Sequence, residues 1–183
     1  FRVLRNTFVL GLYGIIWTFP APIILALILN EVRFSGFKRV TQTISYLPHF
    51  ISTVIIVGIL KIVLSVDGGI INIIISTLGG NPIQFLNDPK WFRTIYIASD
   101  IWQGVGYGSI VYLAAISGVD VQLYEAAKID GASRFRCMIS ITLPCIIPTI
   151  MVMFIMKVGS ILSVGFEKVL LLYQPATYET ADV

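Results

Sequence analysis

The sequence predicts an all-α membrane protein, a polytopic helical bundle with four full spans. Hydrophobic residues make up 56% of its 183 residues, charged residues only 13%, and the mean hydropathy is +0.87. A soluble domain carries about a quarter charged residues. The apolar residues are also concentrated in segments close to the roughly 20 residues that a helix needs to cross a bilayer. An apolar surface of this extent needs lipid around it.

Four segments are long and apolar enough to be spans. They lie at about 8–29, 46–64, 94–117 and 145–162. Residues 70–78 are apolar but too short to cross, and glycine and proline clusters flank them, which predicts a short interfacial helix. Residues 165–172 are likewise too short. The chain begins with Phe1 and no signal peptide precedes the first span, so we expect that its front is missing.

The third span is less apolar than the others and carries a polar stripe. Asp100, Gln103 and Tyr107 are spaced i, i+3, i+7 and therefore share one helix face. Lipid offers polar groups no partners, so we expect this face to meet protein or water. Gly104 and Gly108 form a GxxxG pattern on an adjacent face, which is typical of close helix packing.

Three charged residues, Lys61, Asp100 and Lys157, fall inside the predicted spans. At a helix centre each would cost about 2.5 to 3.5 kcal/mol. Two interpretations remain open. The lysines can extend their ammonium groups to the membrane surface, or Asp100 pairs with a lysine inside the bundle. Loop charges do not set the orientation, because Lys and Arg are nearly balanced between the two sides.

The polar loop 119–144, between the third and fourth spans, predicts two short helices joined at a bend. Asp120 can accept hydrogen bonds from the first-turn amides of a helix, and the residues after it are good helix formers. Gly131 permits a sharp bend. Ser133 can begin a second short helix that ends before Pro144. The alanines of this loop would let another protein's surface approach closely.

The same loop carries a long, gapped motif. It reads Glu-Ala-Ala, three residues, Gly, then nine residues to an Ile-x-Leu-Pro, and its matching positions are Glu125, Ala126, Ala127, Gly131, Ile141, Leu143 and Pro144. This pattern resembles the EAA loop in permease subunits of binding-protein-dependent ABC importers. In that family the loop is cytoplasmic and docks in a groove on the ATPase subunit, so the resemblance supplies the orientation that the charges do not.

The resemblance implies which residues of the loop couple to the ATPase. These are Glu125, Ala126, Ala127, Asp130, Gly131, Leu143 and Pro144. Glu125 is expected to contact a basic residue of the ATPase, and Gly131 to set the docking angle. One departure affects the second coupling helix, because Cys137 and Met138 stand where the family usually has a basic residue and an aromatic.

Further segments of the sequence resemble the carbohydrate-uptake branch of the family. They are Leu47-Pro48 at the start of a span, Asp67-Gly68-Gly69, and Phe166-Glu167 after the fourth span. Residues 30–50 resemble a Gram-positive subgroup that imports oligosaccharides and uronate-containing saccharides. Against the family's usual six-span core, the chain would be a single permease domain, 1–183, that covers spans two to five and lacks the first and last.

The resemblance implies a multi-pass permease subunit of the type I ABC-importer kind in the plasma membrane, importing an oligosaccharide. Its expected partners are ABC ATPase subunits, a second and different permease subunit, an extracytoplasmic solute-binding protein and membrane lipid. A net charge of +3 does not suggest nucleic acid. No Gly-x-x-x-x-Gly-Lys-Ser/Thr loop is visible, so no ATPase activity of its own is expected, and no cofactor or metal is predicted.

Trp102, Gln103 and Tyr107 are predicted to line the substrate path, because aromatic faces and amide groups suit sugar rings. The alternative is that Trp102 and Tyr107 simply pack against neighbouring helices. The lone His49 is interpreted as an interfacial or packed residue rather than a catalyst.

Carbohydrate import is one of several functions that the sequence allows. The same machine could carry amino acids, peptides or another small solute, which the EAA loop alone does not exclude. A secondary transporter or channel would predict paired inverted repeats with broken helices and ion-binding acids at the midplane, and the sequence shows neither feature. A membrane scaffold or insertase component would not need the loop with its glycine bend.

Overall fold

Helices dominate the computed structural model, which describes residues 1–163 and 165–181. No strand occurs in that part of the chain, so the predicted all-α class is confirmed. The α-helices are, in order, α1 Arg2–Tyr13, α2 Pro20–Glu31, α3 Ser35–Tyr46, α4 Thr53–Val63, α5 Ile70–Thr77, α6 Pro89–Ser117, α7 Val121–Ile129, α8 Arg134–Cys137, α9 Leu143–Gly159, α10 Phe166–Leu172 and α11 Tyr178–Ala181. Short 3-10 turns lie at Leu47–Phe50 and Pro175–Thr177.

Two π-helical turns carry helices past prolines. Gly14–Thr18 joins α1 to α2 shortly before Pro20, and Met138–Thr142 joins α8 to α9 shortly before Pro144. Proline donates no backbone hydrogen bond, and its ring clashes with the carbonyl four residues earlier in an ordinary α-helix. A wider π turn relieves that clash. The prediction that the second loop helix ends before Pro144 is therefore wrong.

The two helices formed in this way are long and apolar enough to cross a membrane by length and composition. They are Arg2–Glu31, with 30 residues, and Arg134–Gly159, with 26. Two further candidates are bent pairs: Ser35–Phe50 meets α4 at 103°, and α6 meets α7 at 71°. The described residues thus contain two candidate spans, or up to four if each bent pair is one. The predicted count of four full spans is not confirmed.

The predicted second span, 46–64, is divided in the structure. A break at 51–52 separates Ser35–Phe50 from α4, which has only 11 residues. At 1.5 Å per residue, α4 is roughly 16 Å long, about half the thickness of a bilayer core. The predicted third span lies within the 29-residue α6, and the predicted short interfacial helix at 70–78 corresponds to α5.

The chain forms two compact units, each with an apolar cluster. The first unit comprises Phe1–Gly14, Phe50–Ile101 and the described residues of Ile161–Val183, and the second comprises Ile15–His49 and Trp102–Ser160. The first cluster consists of Leu10, Val57, Phe92, Tyr96, Ile97, Val169, Leu172 and Ala181. The second consists of Ile23, Ala26, Tyr112, Ile116 and Ile146.

Two buried asparagines organise the first unit. Asn72 on α5 donates from Nδ2 to the carbonyls of Ser65 (2.9 Å) and Ile83 (3.0 Å), and its Oδ1 accepts from the Ile83 amide (2.8 Å). Asn6 donates to the Glu179 carbonyl (2.9 Å) and accepts from Arg93 (3.1 Å). A buried amide must have partners to avoid a desolvation penalty. These bonds therefore hold loop segments and the C-terminal helix in place.

Close helix packing in the second unit centres on Gly106. A Cβ at that position would collide with the backbone carbonyl of Ser45, so α3 and α6 approach too closely for any side chain. At Gly108 a Cβ would lie 3.0 Å from Pro22, whereas at Gly104 nothing lies within 4 Å. The GxxxG pattern therefore identifies a packed glycine at only one of its two positions.

Candidate functional site

The loop between α6 and α9 begins with a capped helix, as predicted. The Asp120 carboxylate accepts a hydrogen bond from the Gln122 amide (2.9 Å), which satisfies one of the free amides in the first turn of α7. No residue of α7 is buried within the chain. The helix is therefore held by its cap and by contacts along one face, and its other face is open.

The bend after α7 depends on Gly131. Its φ is +75°, in the left-handed region that glycine adopts at little cost. The Gly131 amide donates to the Lys128 carbonyl (3.1 Å), and the Ala132 amide donates to the Ala127 carbonyl (2.9 Å). These two bonds make a Schellman motif, which satisfies the last carbonyls of the helix. The predicted bend at Gly131 is confirmed in position and cause.

A second helix begins immediately after the bend. The Ser133 hydroxyl accepts from the Arg136 amide (3.3 Å) at the start of α8, so the predicted N-cap is also present. Tyr124 on α7 shares a hydrogen bond with Thr142 (2.8 Å), whose side chain is fully buried in the π turn. This bond ties the inner face of α7 to the helix that follows.

The predicted coupling residues divide into two groups. Four of them are exposed on α7 or at the bend: Glu125, Ala126, Asp130 and Gly131. Ala127 is half-buried. Leu143 packs against the apolar cluster of the second unit, and Pro144 is exposed in the first turn of α9. The exposed group lies on α7 and at the bend, whereas Leu143 belongs to the interior.

A groove of about 240 Å³ lies beside the bend. Its lining residues are Ala127, Asp130, Ala132, Arg136, Cys137, Ser140 and Ile141. Several lining side chains are small, and the lining also contains one acidic residue, Asp130, and one basic residue, Arg136. Such a groove would admit a protruding side chain of another protein. Cys137 is buried within the chain, and Met138 begins the π turn. The departure from the family pattern at Cys137 thus falls in the wall of the groove.

Trp102, Gln103 and Tyr107 lie together on α6 in the second unit. Trp102 is 45% exposed and Tyr107 47%, while Gln103 is half-buried. The Tyr107 ring stacks on His49, with ring centroids 3.9 Å apart and planes 3° from parallel. One face of the Tyr107 ring is therefore packed against His49, and the lone histidine is a stacking partner. Trp102 keeps nearly half of its surface available.

Asp100 pairs with a lysine, which decides between the two interpretations of the intramembrane acid. Lys168 donates from Nζ to Asp100 Oδ1 (2.8 Å), with its side chain only 6% exposed against 36% for Asp100. The same Nζ lies 5.7 Å from the centre of the Tyr96 ring, and the Tyr96 hydroxyl accepts from the Gly165 amide (3.2 Å). These contacts attach α10 to α6.

No pattern in the sequence identifies Lys168 as the partner of Asp100. The available signal was a single lysine in the short apolar run 165–172, a residue type that is almost never buried unless it is paired.

Lys61 and Lys157 lie in the last turns of α4 and α9, where a cation is favoured by the helix dipole. Neither makes an ion pair within 1–163 and 165–181. For these two lysines we retain the interpretation that the side chain extends its ammonium group to the membrane surface.

Comparison with known proteins places the chain among transport components. Residues 7–165 match the family described as binding-protein-dependent transport system inner membrane component. Over 183 residues the chain is 50% identical to the polygalacturonan/rhamnogalacturonan transport system permease protein YteP and 48% identical to the protein LplB, both of Bacillus subtilis. These alignments cover 100% of the chain but 57% and 58% of the two relatives.

A solved structure has nearly the same fold. It is the crystal structure of a bacterial alginate ABC transporter in complex with an alginate pentasaccharide-bound periplasmic protein. The TM-score is 0.97 at 50% identity, over 100% of this chain and 63% of that chain. The chain spans less than two thirds of each of these relatives.

Proposed function

This chain belongs to the family of binding-protein-dependent transport system inner membrane components, and on that premise we propose that it is the membrane part of an ABC-importer permease subunit that takes up an oligosaccharide. The projection formed by α7, the Gly131 bend and α8 is the observation that carries the proposal. A capped helix with an open face is suited to docking on an ATPase. Relatives named for saccharides support the substrate class.

We further propose that residues 1–183 form one permease domain with spans at about 8–29, 46–64, 94–117 and 145–162, the second of them bent. The loop 119–144 would then lie in the cytoplasm. Many large apolar side chains are exposed on the chain, among them Trp17, Ile28 and Ile155. Such a surface fits lipid and a second permease subunit. A solute-binding protein would dock on the opposite side of the membrane.

Glu125 is proposed as the charged contact to the ATPase, since it is exposed on the open face of α7. We expect that Glu125→Lys in the full-length protein prevents co-purification of the ATPase subunits. Losing one partner of a hydrogen-bonded charge pair at an interface costs about 2 to 5 kcal/mol, and reversal adds repulsion. The measurement is the ATPase-to-permease ratio after affinity purification from solubilised membranes.

Glu167→Lys is the matched control, because it makes the same charge reversal at an exposed position on α10 in the other unit. That variant should retain the ATPase at the wild-type ratio. Equal retention of the ATPase by Glu125→Lys and wild type would remove the loop from the docking surface.

Trp102, Gln103 and Tyr107 are proposed to line the substrate path. Two partly exposed aromatic rings and an amide on one helix offer stacking surfaces and hydrogen bonds to a sugar. The stacking of Tyr107 on His49 would hold the phenol ring in a fixed orientation.

The double variant Gln103→Leu with Tyr107→Phe tests that role. Phenylalanine keeps the ring that stacks on His49, so the change removes polar groups rather than packing. Each lost hydrogen bond is worth about 0.5 to 1.5 kcal/mol, so we expect uptake at limiting saccharide to fall about tenfold or the preferred saccharide to change. Ser117→Ala, which removes a hydroxyl bonded to the Leu113 carbonyl on the same helix, should have no effect. Unchanged transport kinetics in the double variant would exclude both residues from the path.

A further inference from the structure

A second cavity lies on the side of α7 that faces the rest of the chain. Its volume is about 360 Å³, and its lining residues are Asn30, Glu31, Val32, Arg33, Val121, Tyr124, Lys128, Ala132, Arg134 and Cys137. Three of these side chains are cationic and one is anionic. The cavity therefore has an excess of positive charge, which an uncharged saccharide or an apolar ligand would not need.

The cavity lies where two membrane-crossing candidates end. Glu31 is the last residue of the 30-residue helix Arg2–Glu31, and Arg134 is the first residue of the 26-residue helix Arg134–Gly159. Glu31 is two residues beyond the proposed span at about 8–29, and Arg134 lies 4.0 Å from it, so both side chains would lie close to the depth of the lipid headgroups. The cations of this cavity would thus meet the membrane surface rather than bulk solvent.

The cations are available to a ligand. Arg134 approaches Glu31 only to 4.0 Å, and both side chains are more than a third exposed, so this ion pair is weak. Within the described residues, neither Arg33 nor Lys128 forms an ion pair. An arginine guanidinium matches the geometry of a phosphate group, with two parallel N–H···O bonds. Two arginines and a lysine around one cavity are suited to a phosphate.

The cavity lies beside the proposed docking residues of α7. Val121, Tyr124 and Lys128 follow one another at i, i+3 and i+7 and share the inner face of α7. Ala126 is exposed on the opposite side of the helix, whereas Glu125, four residues after Val121 and three before Lys128, is exposed at the edge of the inner face. Neither is a lining residue of the cavity, so an occupant would contact the inner face of α7 and leave both accessible to an ATPase.

We propose that this cavity binds the phosphate headgroup of an anionic membrane phospholipid. The inference rests on the cytoplasmic position of the loop in the proposed function. Basic pockets beside membrane helices on that side bind anionic headgroups. The bound lipid would link the end of α2 to α7 and the start of α8, and so would steady the projection.

The test uses the full-length permease with its partner subunits, purified in detergent and titrated with phosphatidylglycerol or phosphatidylcholine. Bound lipid is counted by native mass spectrometry. The variant is Arg33→Gln with Arg134→Gln, and the matched control is Lys38→Gln with Arg39→Gln, which removes the same charge from residues outside this cavity and outside the groove at the bend. Each cation near an anionic surface is worth about fivefold in affinity, so the double variant should bind phosphatidylglycerol about twenty-five-fold more weakly.

Preferential phosphatidylglycerol binding that only the cavity variant loses would support the proposal. Equal binding by wild type and variant would overturn it. Displacement of phosphatidylglycerol by inorganic phosphate alone would identify a free-anion site instead. Loss of the ATPase from the cavity variant with lipid binding unchanged would assign these cations to ATPase docking. Because none of these readouts depends on uptake, a failed lipid site leaves the proposed transport function intact.

Discussion

Replacing Gly131 with valine is expected to reduce ATP-driven saccharide uptake by tenfold or more while leaving the protein in the membrane. The residue has a φ of +75° and forms the Schellman turn that ends α7. A β-branched residue in this region is strained by about 1 to 3 kcal/mol. The bend would open to relieve that strain, and the angle between α7 and α8 would change. Uptake of labelled saccharide and the ATPase rate, measured in the same vesicles, would show loss of coupling.

Two further variants isolate the backbone effect. Nothing lies within 4 Å of a Cβ built at Gly131, so a steric clash is not the cause. Gly131→Asn should retain most of the uptake, because asparagine tolerates the left-handed region. Gly58→Val introduces the same side chain at an uncrowded helical position and should leave coupling unchanged. Normal uptake by Gly131→Val would show that the bend has no part in coupling.

Replacing Lys168 with methionine is expected to destabilise the protein by up to about 3 kcal/mol. Removing one partner of a fully buried ion pair costs about 3 to 5 kcal/mol, because the other charge stays behind without compensation. Asp100 keeps 36% of its side-chain surface exposed, so we expect the lower end of that range. Loss of the ion pair would also weaken the contact between α10 and α6. Thermal unfolding of the full-length transporter in detergent would measure the loss.

The double variant Asp100→Leu with Lys168→Met should recover most of that stability. It removes both charges together, and apolar replacements of a buried pair are often neutral. Lys61→Met, at an exposed lysine outside any ion pair in the described residues, should not change the unfolding temperature. If the single Lys168→Met variant unfolds like the wild type, the ion pair does not contribute to stability.

Short-range features of this protein followed from the sequence. The membrane class came from composition, and the Asp120 and Ser133 caps and the Gly131 bend came from residue types within a few positions of one another. These features are governed by local hydrogen bonds and by the φ values that a residue can adopt. Such interactions are largely independent of how the helices later pack, which is why the candidate docking loop could be located from its residues.

Long-range features were decided only by the tertiary structure. Lys168 pairs with Asp100 across 68 positions of the chain, and no spacing rule connects them. Gly106, rather than Gly104, is the closely packed glycine because the Ser45 backbone reaches it. The break at 51–52 and the helix that continues past Pro144 were also not predicted from the sequence. For the ion pair and for Gly106 the free energy comes from contacts between helices, which residue order alone does not specify.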